Sequence, residues 1–299
     1  MMNNLKDMLD YGTDTLQKAG RDNARTDAWY LLSYCMKISK AEYYTMTDKA
    51  VDQGDVEKYA GLISERASGK PLQYITGSQE FMGLEFYVDE SVLIPRQDTE
   101  TAVECALSVI CDMGNDQSKS GRRILKVLDM CTGSGCIAVS IAKLAKDNTD
   151  IEVFASDISV KALDVALFNA KKNDVHVKFI ESDMWEAFLP EDRYDIVISN
   201  PPYINSGVIP TLMTEVKSFE PVTALDGGED GLDFYRKITA GLRDHLNDNG
   251  TVIYEIGYDQ GERVSGLLRA NGFADIKVIK DLAGLDRVVT AVCKSIGGL

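Results

Sequence analysis

Apolar residues recur at helical spacing through the first part of the chain: Leu5, Met8 and Leu9, then Ala28, Leu31, Leu32, Cys35 and Met36, then Val56, Tyr59, Ala60 and Ile63. Steps of three and four bring these side chains to one face of each segment, so the stretch predicts three or four short helices forming a small bundle. The third pattern stops at Gly69 with Pro71 beyond it. Glycine accepts a left-handed cap and proline cannot continue the ladder, so a helix ends there. The next segment, GSQEFMGLEFYVDESVLIP, is rich in β-branched and aromatic residues around Gly83 and predicts a β-hairpin connecting two domains.

From about residue 98 apolar strands alternate with helices. Strands are expected over 124–128, 151–155, 177–180, 196–199, 252–256, 276–279 and 288–292, with helices over 137–146, 160–172, 232–244 and 260–270. Residues 115–121 (NDQSKSG) predict a polar loop before the first strand. The fold class is α/β, a Rossmann-like domain with a mainly parallel sheet, preceded by a small N-terminal helical bundle and a β-hairpin linker. The expected boundaries are 1–73, 74–97 and 98–299.

Charge narrows the choice of partners. The chain of 299 residues carries 32 basic and 47 acidic residues, a formal charge of −15, and its basic clusters are pairs such as Arg122-Arg123 and Lys171-Lys172. Such a field repels phosphates and favours a basic protein partner, so no direct nucleic-acid binding is expected. No apolar run approaches the roughly 18 residues of a membrane span, and the N-terminus lacks a signal-peptide core, which predicts a cytoplasmic, soluble protein. The scattered cysteines Cys35, Cys105, Cys111, Cys131, Cys136 and Cys293 have no paired spacing and are expected to be reduced thiols, mostly buried. His176 and His245 have charged or polar neighbours and are expected to be exposed. With no histidine cluster, no metal is expected.

The segment ILKVLDMCTGSGCIAVSIA reads strand, glycine-containing turn, helix, and Asp157 closes the following strand. That arrangement suits a nucleoside: the turn lets backbone approach the ligand, and the second-strand carboxylate accepts from ribose hydroxyls. Gly133, Gly135 and Ala138 also satisfy the pattern of a nicotinamide-dinucleotide site, and an ordinary tight turn is the plain alternative. Asp129 favours a cationic ligand such as S-adenosylmethionine, because a pyrophosphate would be repelled there, and a dehydrogenase would lack a histidine acid or base.

After the strand DIVIS comes Asn200-Pro201-Pro202-Tyr203. A loop at the carboxyl end of a parallel strand lies where α/β sheets bind ligands, and two prolines hold its carbonyls fixed. With the Asn200 side-chain oxygen, these carbonyls accept both protons of a planar –NH2, while Tyr203 offers a stacking face. Hydrogen bonds that draw the nitrogen toward pyramidal geometry help only as a group is transferred to it, which is transition-state stabilisation. A Pro-Pro turn that merely ends a strand is the structural alternative. Exocyclic base amines and glutamine or asparagine amides both present such a group; the acidic balance favours protein over a nucleic-acid adenine or cytosine amino-methyltransferase.

Taken together, PLQYITGSQEFMGLEFYVDESVLIPRQDTE, DMCTGSGCIA, ASDIS, SNPPYI, EPVTALDGGEDGLDFYRKI and KDLAGLDRVV resemble the peptide chain release factor glutamine methyltransferases of the PrmC/HemK family over essentially the whole length. The NPPY loop is shared with several amino-methyltransferases; LIPRQDTE with the late segments is more specific. The resemblance implies a class I methyltransferase fold and methylation of the glutamine of the GGQ motif in class-1 release factors. It implies S-adenosylmethionine as cofactor, S-adenosylhomocysteine as product, and a monomer. It further implies that Cys131, Thr132, Gly133, Ser134, Gly135, Asp157, Asp183, Met184 and Asn200 contact the cofactor, as Asp129 was read to do. Asn200, Pro201, Pro202 and Tyr203 would hold the glutamine, and the helical domain would grip the release factor. Cys131, Gln97 and Met184 depart from the family's common glycine, proline and aromatic, leaving either Met184 or Trp185 to cover the adenine. For Arg96, Asp98 and Glu100, a charge-paired capping segment and a substrate role stand side by side.

Overall fold

A computed structural model of the chain describes residues 2–120, 123–145 and 150–294. Two compact units emerge. The first comprises residues up to Ser78 together with Met213–Phe219, and the second comprises Gln79–Leu212 and the chain from Glu220 onward.

The first unit is helical, with helices Leu5–Lys18, Ala24–Met36, Lys40–Thr45, Gln53–Ala67 and Leu72–Thr76. The apolar stripes read from the sequence meet in one core of Leu5, Met8, Leu9, Ala28, Leu31, Leu32, Tyr59 and Ile63. Full burial of each leucine contributes about 1.5–3 kcal/mol relative to exposure. Gly12 permits the close approach of Tyr59, whose hydroxyl oxygen would lie 2.1 Å from a Cβ at that position. The Tyr59 hydroxyl donates to the Ala28 carbonyl at 3.1 Å. Helix Thr214–Phe219, whose pairing the sequence pattern did not foretell, is tied to this unit through Glu215, which accepts from the buried Arg66 at 2.6 Å. Arg66 also pairs with the buried Asp27 at 2.6 Å, so neither charge is left uncompensated.

In the second unit the hairpin β1 (Gln79–Phe81) and β2 (Leu84–Phe86) turns through Met82 and Gly83, both at positive φ. This is the twist a two-residue hairpin requires. The Met82 N–H donates to Glu100 Oε1 at 2.7 Å, a tether for a non-glycine residue in that conformation. Phe81 and Phe86 are buried in the core with Val103, Ala106 and Ile110, so the hairpin packs as part of this unit.

The main sheet contains β3 (Leu125–Met130), β4 (Ile151–Asp157), β5 (Lys178–Glu181), β6 (Tyr194–Ser199), β7 (Leu246–Glu255), β8 (Ala274–Lys280) and β9 (Asp286–Val292), in the order β5-β4-β3-β6-β7-β9-β8. The strands β3 to β7 pair in parallel, and β9 inserts antiparallel between β7 and β8. Both faces are covered. Val127, Ile196, Ile198, Ile253 and Val288 join one core, while Leu128, Val197, Val252, Tyr254 and Val289 join the other. Alternate side chains of one strand necessarily point to opposite faces, which is why these strands read as continuous apolar runs.

Three expectations are corrected. The stretch 115–121 is not a loop where it is described: helix Glu100–Ser120 runs through it, and Gly121 lies outside the described residues. NDQSKS contains no proline or glycine, and a helix already under way adds one hydrogen bond per residue. His245 is buried: its ring stacks on Trp185 at 4.5 Å and its Nδ1 lies 2.8 Å from the Asp192 carbonyl, on the core-facing side of helix Asp233–His245. The cysteines divide evenly: Cys35, Cys136 and Cys293 are buried, whereas Cys105 and Cys131 are half-buried and Cys111 is exposed. All six are free thiols. Among the described residues no helix is long and apolar enough to cross a membrane.

Candidate active site

Strand order reverses between β3 and β6, because β4 follows on one side of β3 and β6 lies on the other. The carboxyl ends of these two strands carry the glycine turn and the NPPY loop. Ligands of open α/β sheets bind in the crevice at such a switch point. A cavity of about 480 Å³ lies there, lined by Cys131, Thr132, Gly133, Ser134, Asp157, Asp183, Met184, Asn200 and Pro202 among others.

The turn is built by backbone geometry. Cys131, Gly133 and Gly135 have φ of 61°, 54° and 78°. At Gly135 an added Cβ would lie 2.9 Å from the Ala166 Cβ, so only glycine lets helix Val160–Lys172 approach this closely. Cys131 holds the left-handed conformation without that freedom, at a local steric cost. Burial pushes its thiol well above the ordinary range. The Asp157 carboxylate accepts from the Gly133 N–H and the Ser159 N–H, each at 2.9 Å, and so ties the turn to the end of β4. Each carboxylate oxygen retains capacity for a second donor, such as a ribose hydroxyl.

Asp129 departs from the expected role. It is fully buried and does not line the cavity. Its Oδ2 accepts from the Thr132 hydroxyl at 2.6 Å and the Ala138 N–H at 3.2 Å, so the carboxylate holds the turn from beneath. Burial raises its pKa to about 7. Its Oδ1 is buried without a hydrogen-bond partner among the described residues, a polar atom whose cost a cation above the turn would reduce. Gly135 is likewise a framework residue, absent from the cavity wall.

Of Met184 and Trp185, the cavity receives Met184. Trp185 donates from Nε1 to the Ile238 carbonyl at 2.8 Å and stacks on His245, which commits its ring elsewhere.

In the NPPY loop, Asn200 and Pro202 reach the cavity, whereas Pro201 is buried behind it. Tyr203 is half-buried and is not among the residues lining the cavity. Its hydroxyl points to Glu255 at 3.4 Å, and its carbonyl accepts from Gln260 Nε2 at 3.0 Å. The Asn200 Nδ2 donates to Thr99 Oγ1 at 3.3 Å, which leaves Oδ1 as the acceptor available to a substrate –NH2. A strap from the EPVTALDGGEDGLD segment clamps the loop: Ile204 donates to the Leu225 carbonyl at 3.0 Å, and Gly227 donates to the Ile204 carbonyl at 2.8 Å.

The Arg96, Asp98 and Glu100 alternatives resolve residue by residue. Asp98 pairs with Arg287 at 3.0 Å and Glu100 caps the hairpin turn, both structural roles. Arg96 pairs with Glu220 and also lines the cavity. Sequence reading missed Thr99, Glu255 and Asn169. The buried Asn169 donates to the Ser134 and Tyr87 carbonyls, each at 2.9 Å, fixing the turn against the segment after the hairpin. A polar residue on the apolar side of helix Val160–Lys172 was the signal available for it.

Two family models match the chain, one described as the PrmC N-terminal domain over residues 7–77 and one as the Methyltransferase small domain over 117–216. A release factor glutamine methyltransferase of Clostridium acetobutylicum is 41% identical over 291 residues, covering 96% of this chain and 98% of the relative. The Geobacter sulfurreducens protein of the same name is 39% identical over 285 residues, covering 95% of each. A solved methyltransferase from Pyrococcus furiosus superposes with a TM-score of 0.51 at 16% identity, covering 80% of this chain and 99% of that one, which establishes a common fold.

Proposed function

Because the chain belongs to the release factor glutamine methyltransferase family, we propose that it transfers a methyl group from S-adenosylmethionine to the side-chain amide nitrogen of the glutamine in the GGQ motif of class-1 peptide chain release factors. The observation that supports the reading is Asn200 at the cavity wall, whose Nδ2 donates to Thr99 Oγ1 and so leaves Oδ1 as the amide's acceptor. An acceptor there suits a primary amide.

S-adenosylmethionine supplies a methyl group on a sulfonium, and S-adenosylhomocysteine leaves. The Cys131–Gly135 turn and Asp157 would hold the nucleoside, Met184 would cover the adenine, and Asp183 and Asn200 complete the wall. Asp129 acts through the turn. Asn200 Oδ1 and a neighbouring carbonyl of the Pro-Pro loop would accept hydrogen bonds from the two amide N–H groups, orienting the nitrogen toward the methyl and supporting its pyramidalisation. One amide proton passes to solvent as the C–N bond forms and the S–CH3 bond breaks. The helical unit, where Tyr30, Tyr34 and Tyr44 stand exposed, would contact the release factor. An acidic monomer acting in the cytoplasm on a basic protein partner is consistent with the −15 charge.

Incubation with labelled S-adenosylmethionine and a purified release factor should place the label on the side-chain amide of one glutamine, located by peptide mass spectrometry. Label in nucleic acid instead, with the release factor unmodified, would turn the assignment to base-amine methylation.

Replacing Asp157 by alanine is expected to weaken cofactor binding by about 1.5–3 kcal/mol for each charge-assisted bond lost. The loss includes a contribution from the turn itself, since the Gly133 and Ser159 N–H groups also lose their acceptor. Calorimetry measures it, and an unchanged affinity would put the nucleoside elsewhere.

A further inference from the structure

Between the NPPY loop and the strap, the chain leaves the second unit and returns to it. At the base of this excursion the Ile204 N–H donates to the Leu225 carbonyl at 3.0 Å, the Gly227 N–H to the Ile204 carbonyl at 2.8 Å, and the Ser206 hydroxyl to Asp226 Oδ1 at 2.6 Å. Its far end, Met213–Phe219, belongs to the helical unit. The return is abrupt: Phe219 is part of the helical unit, whereas the next residue, Glu220, is part of the second unit, is buried and accepts from Arg96. Consecutive Cα atoms are about 3.8 Å apart, so what holds the helix also limits where the strap can begin. From there Pro221, Val222, Thr223, Ala224, Asp226 and Gly228 line the cavity.

Helix Thr214–Phe219 has six residues, too few to persist unaided in water, and none of its side chains is fully buried. Glu215 seats it. Its Oε1 accepts from Arg66 Nη2 at 2.6 Å, and Arg66 Nε donates to Asp27 Oδ2 at 2.6 Å. The planar guanidinium has donors enough to satisfy both carboxylates at once. Arg66 and Asp27 are buried, so the anchor is a fixed point rather than a mobile surface side chain. A Cβ at Gly69 would lie 3.3 Å from Thr214 Cγ2 and 3.5 Å from Phe219 Cε2, which marks close packing at both ends of the helix.

Resting on the functional reading above, we propose that Glu215 is a positioning residue for methyl transfer: its ion pair with Arg66 seats Thr214–Phe219 in the helical unit and thereby holds the strap and the NPPY loop in place at the cavity. Neither Glu215 nor Arg66 lines the cavity. Their effect is carried by the covalent chain from Phe219 to Gly227, and then by the bond from Gly227 to Ile204, the residue after Tyr203. With the pair broken, the helix loses its seat, and the strap is held by its own bonds alone.

The test is Glu215→Ala, which leaves the buried Arg66–Asp27 pair intact. Turnover on a purified release factor at saturating cofactor should fall roughly 10-fold, less than the hundredfold that a displacement of about 1 Å costs, because the strap keeps its bonds to Ile204. KM for the release factor should stay within a few fold. Glu215→Gln, whose side-chain carbonyl still accepts from Arg66, should recover most of the turnover. Amide hydrogen exchange, read by mass spectrometry without substrate, should quicken in Glu215→Ala over the strap, 221–228, and stay parental over helices Ala24–Met36 and Gln53–Ala67. Parental turnover in Glu215→Ala, or unchanged exchange over 221–228, overturns the proposal. So does a raised KM with parental turnover, which would make Glu215 part of the surface that grips the release factor. A parental enzyme that leaves glutamine unmethylated overturns the functional reading instead, and the exchange comparison then still decides whether Glu215 holds the strap.

Discussion

Replacing Asn200 by alanine is expected to lower turnover by roughly 10²–10³, the usual consequence of removing one preorganised polar contact at a reacting centre. The side chain is held by Thr99 at 3.3 Å before any substrate arrives, so its orientation costs nothing when the amide nitrogen begins to pyramidalise. Release-factor affinity should change only a few fold, since the proposed reading assigns most of the protein contact to the helical unit. Asn200 also lines the cofactor cavity, so the comparison belongs at saturating S-adenosylmethionine, in single-turnover methylation of the intact release factor. A parental rate under those conditions would return the Pro-Pro turn to the status of a strand end.

A comparably large effect should come from Gly227→Ala, a position that carries no chemistry. A Cβ there would lie 2.7 Å from Tyr203 Cα and 2.8 Å from the Pro202 carbonyl oxygen. Both atoms are backbone, so the loop must shift rather than a side chain yield. Displacement of a reacting group by about 1 Å costs roughly 10²-fold in rate, and turnover should fall by that order. Cofactor affinity should stay near parental, since the atoms nearest a Cβ at 227 belong to Pro202 and Tyr203 and not to the Cys131–Gly135 turn or Asp157. Turnover and calorimetry on the same preparation separate the two quantities, with thermal melting to show that the variant is folded. Parental turnover would mean that the strap does not hold the loop in its working position.

These predictions draw on different depths of information. The helical stripe of Ala28, Leu31, Leu32 and Cys35 and the apolar runs of β3, β4, β6 and β7 were legible because burial on a helix face or a two-sided sheet imposes a periodicity on neighbouring positions. The cofactor turn was legible for a related reason. Positive φ at Gly133 and Gly135 leaves a glycine signature, and the NPPY loop follows its strand without interruption.

Contacts across long sequence separations left no such trace. Nothing in the local sequence of Glu215 indicates a bond to Arg66, 149 residues away. Nor does the sequence around Asp129 show that the turn folds over its carboxylate and seals it from the cavity, which depends on Thr132 and Ala138 closing back upon it. The partners of Tyr203 were hidden for the same reason: its hydroxyl lies 3.4 Å from Glu255 and its carbonyl accepts from Gln260, both more than fifty residues further on. Local periodicity and turn chemistry determined the elements and the sites at their ends. Which side chains face the cavity, and which hold it from behind, was decided by packing and hydrogen-bond satisfaction between elements that meet only in the tertiary fold.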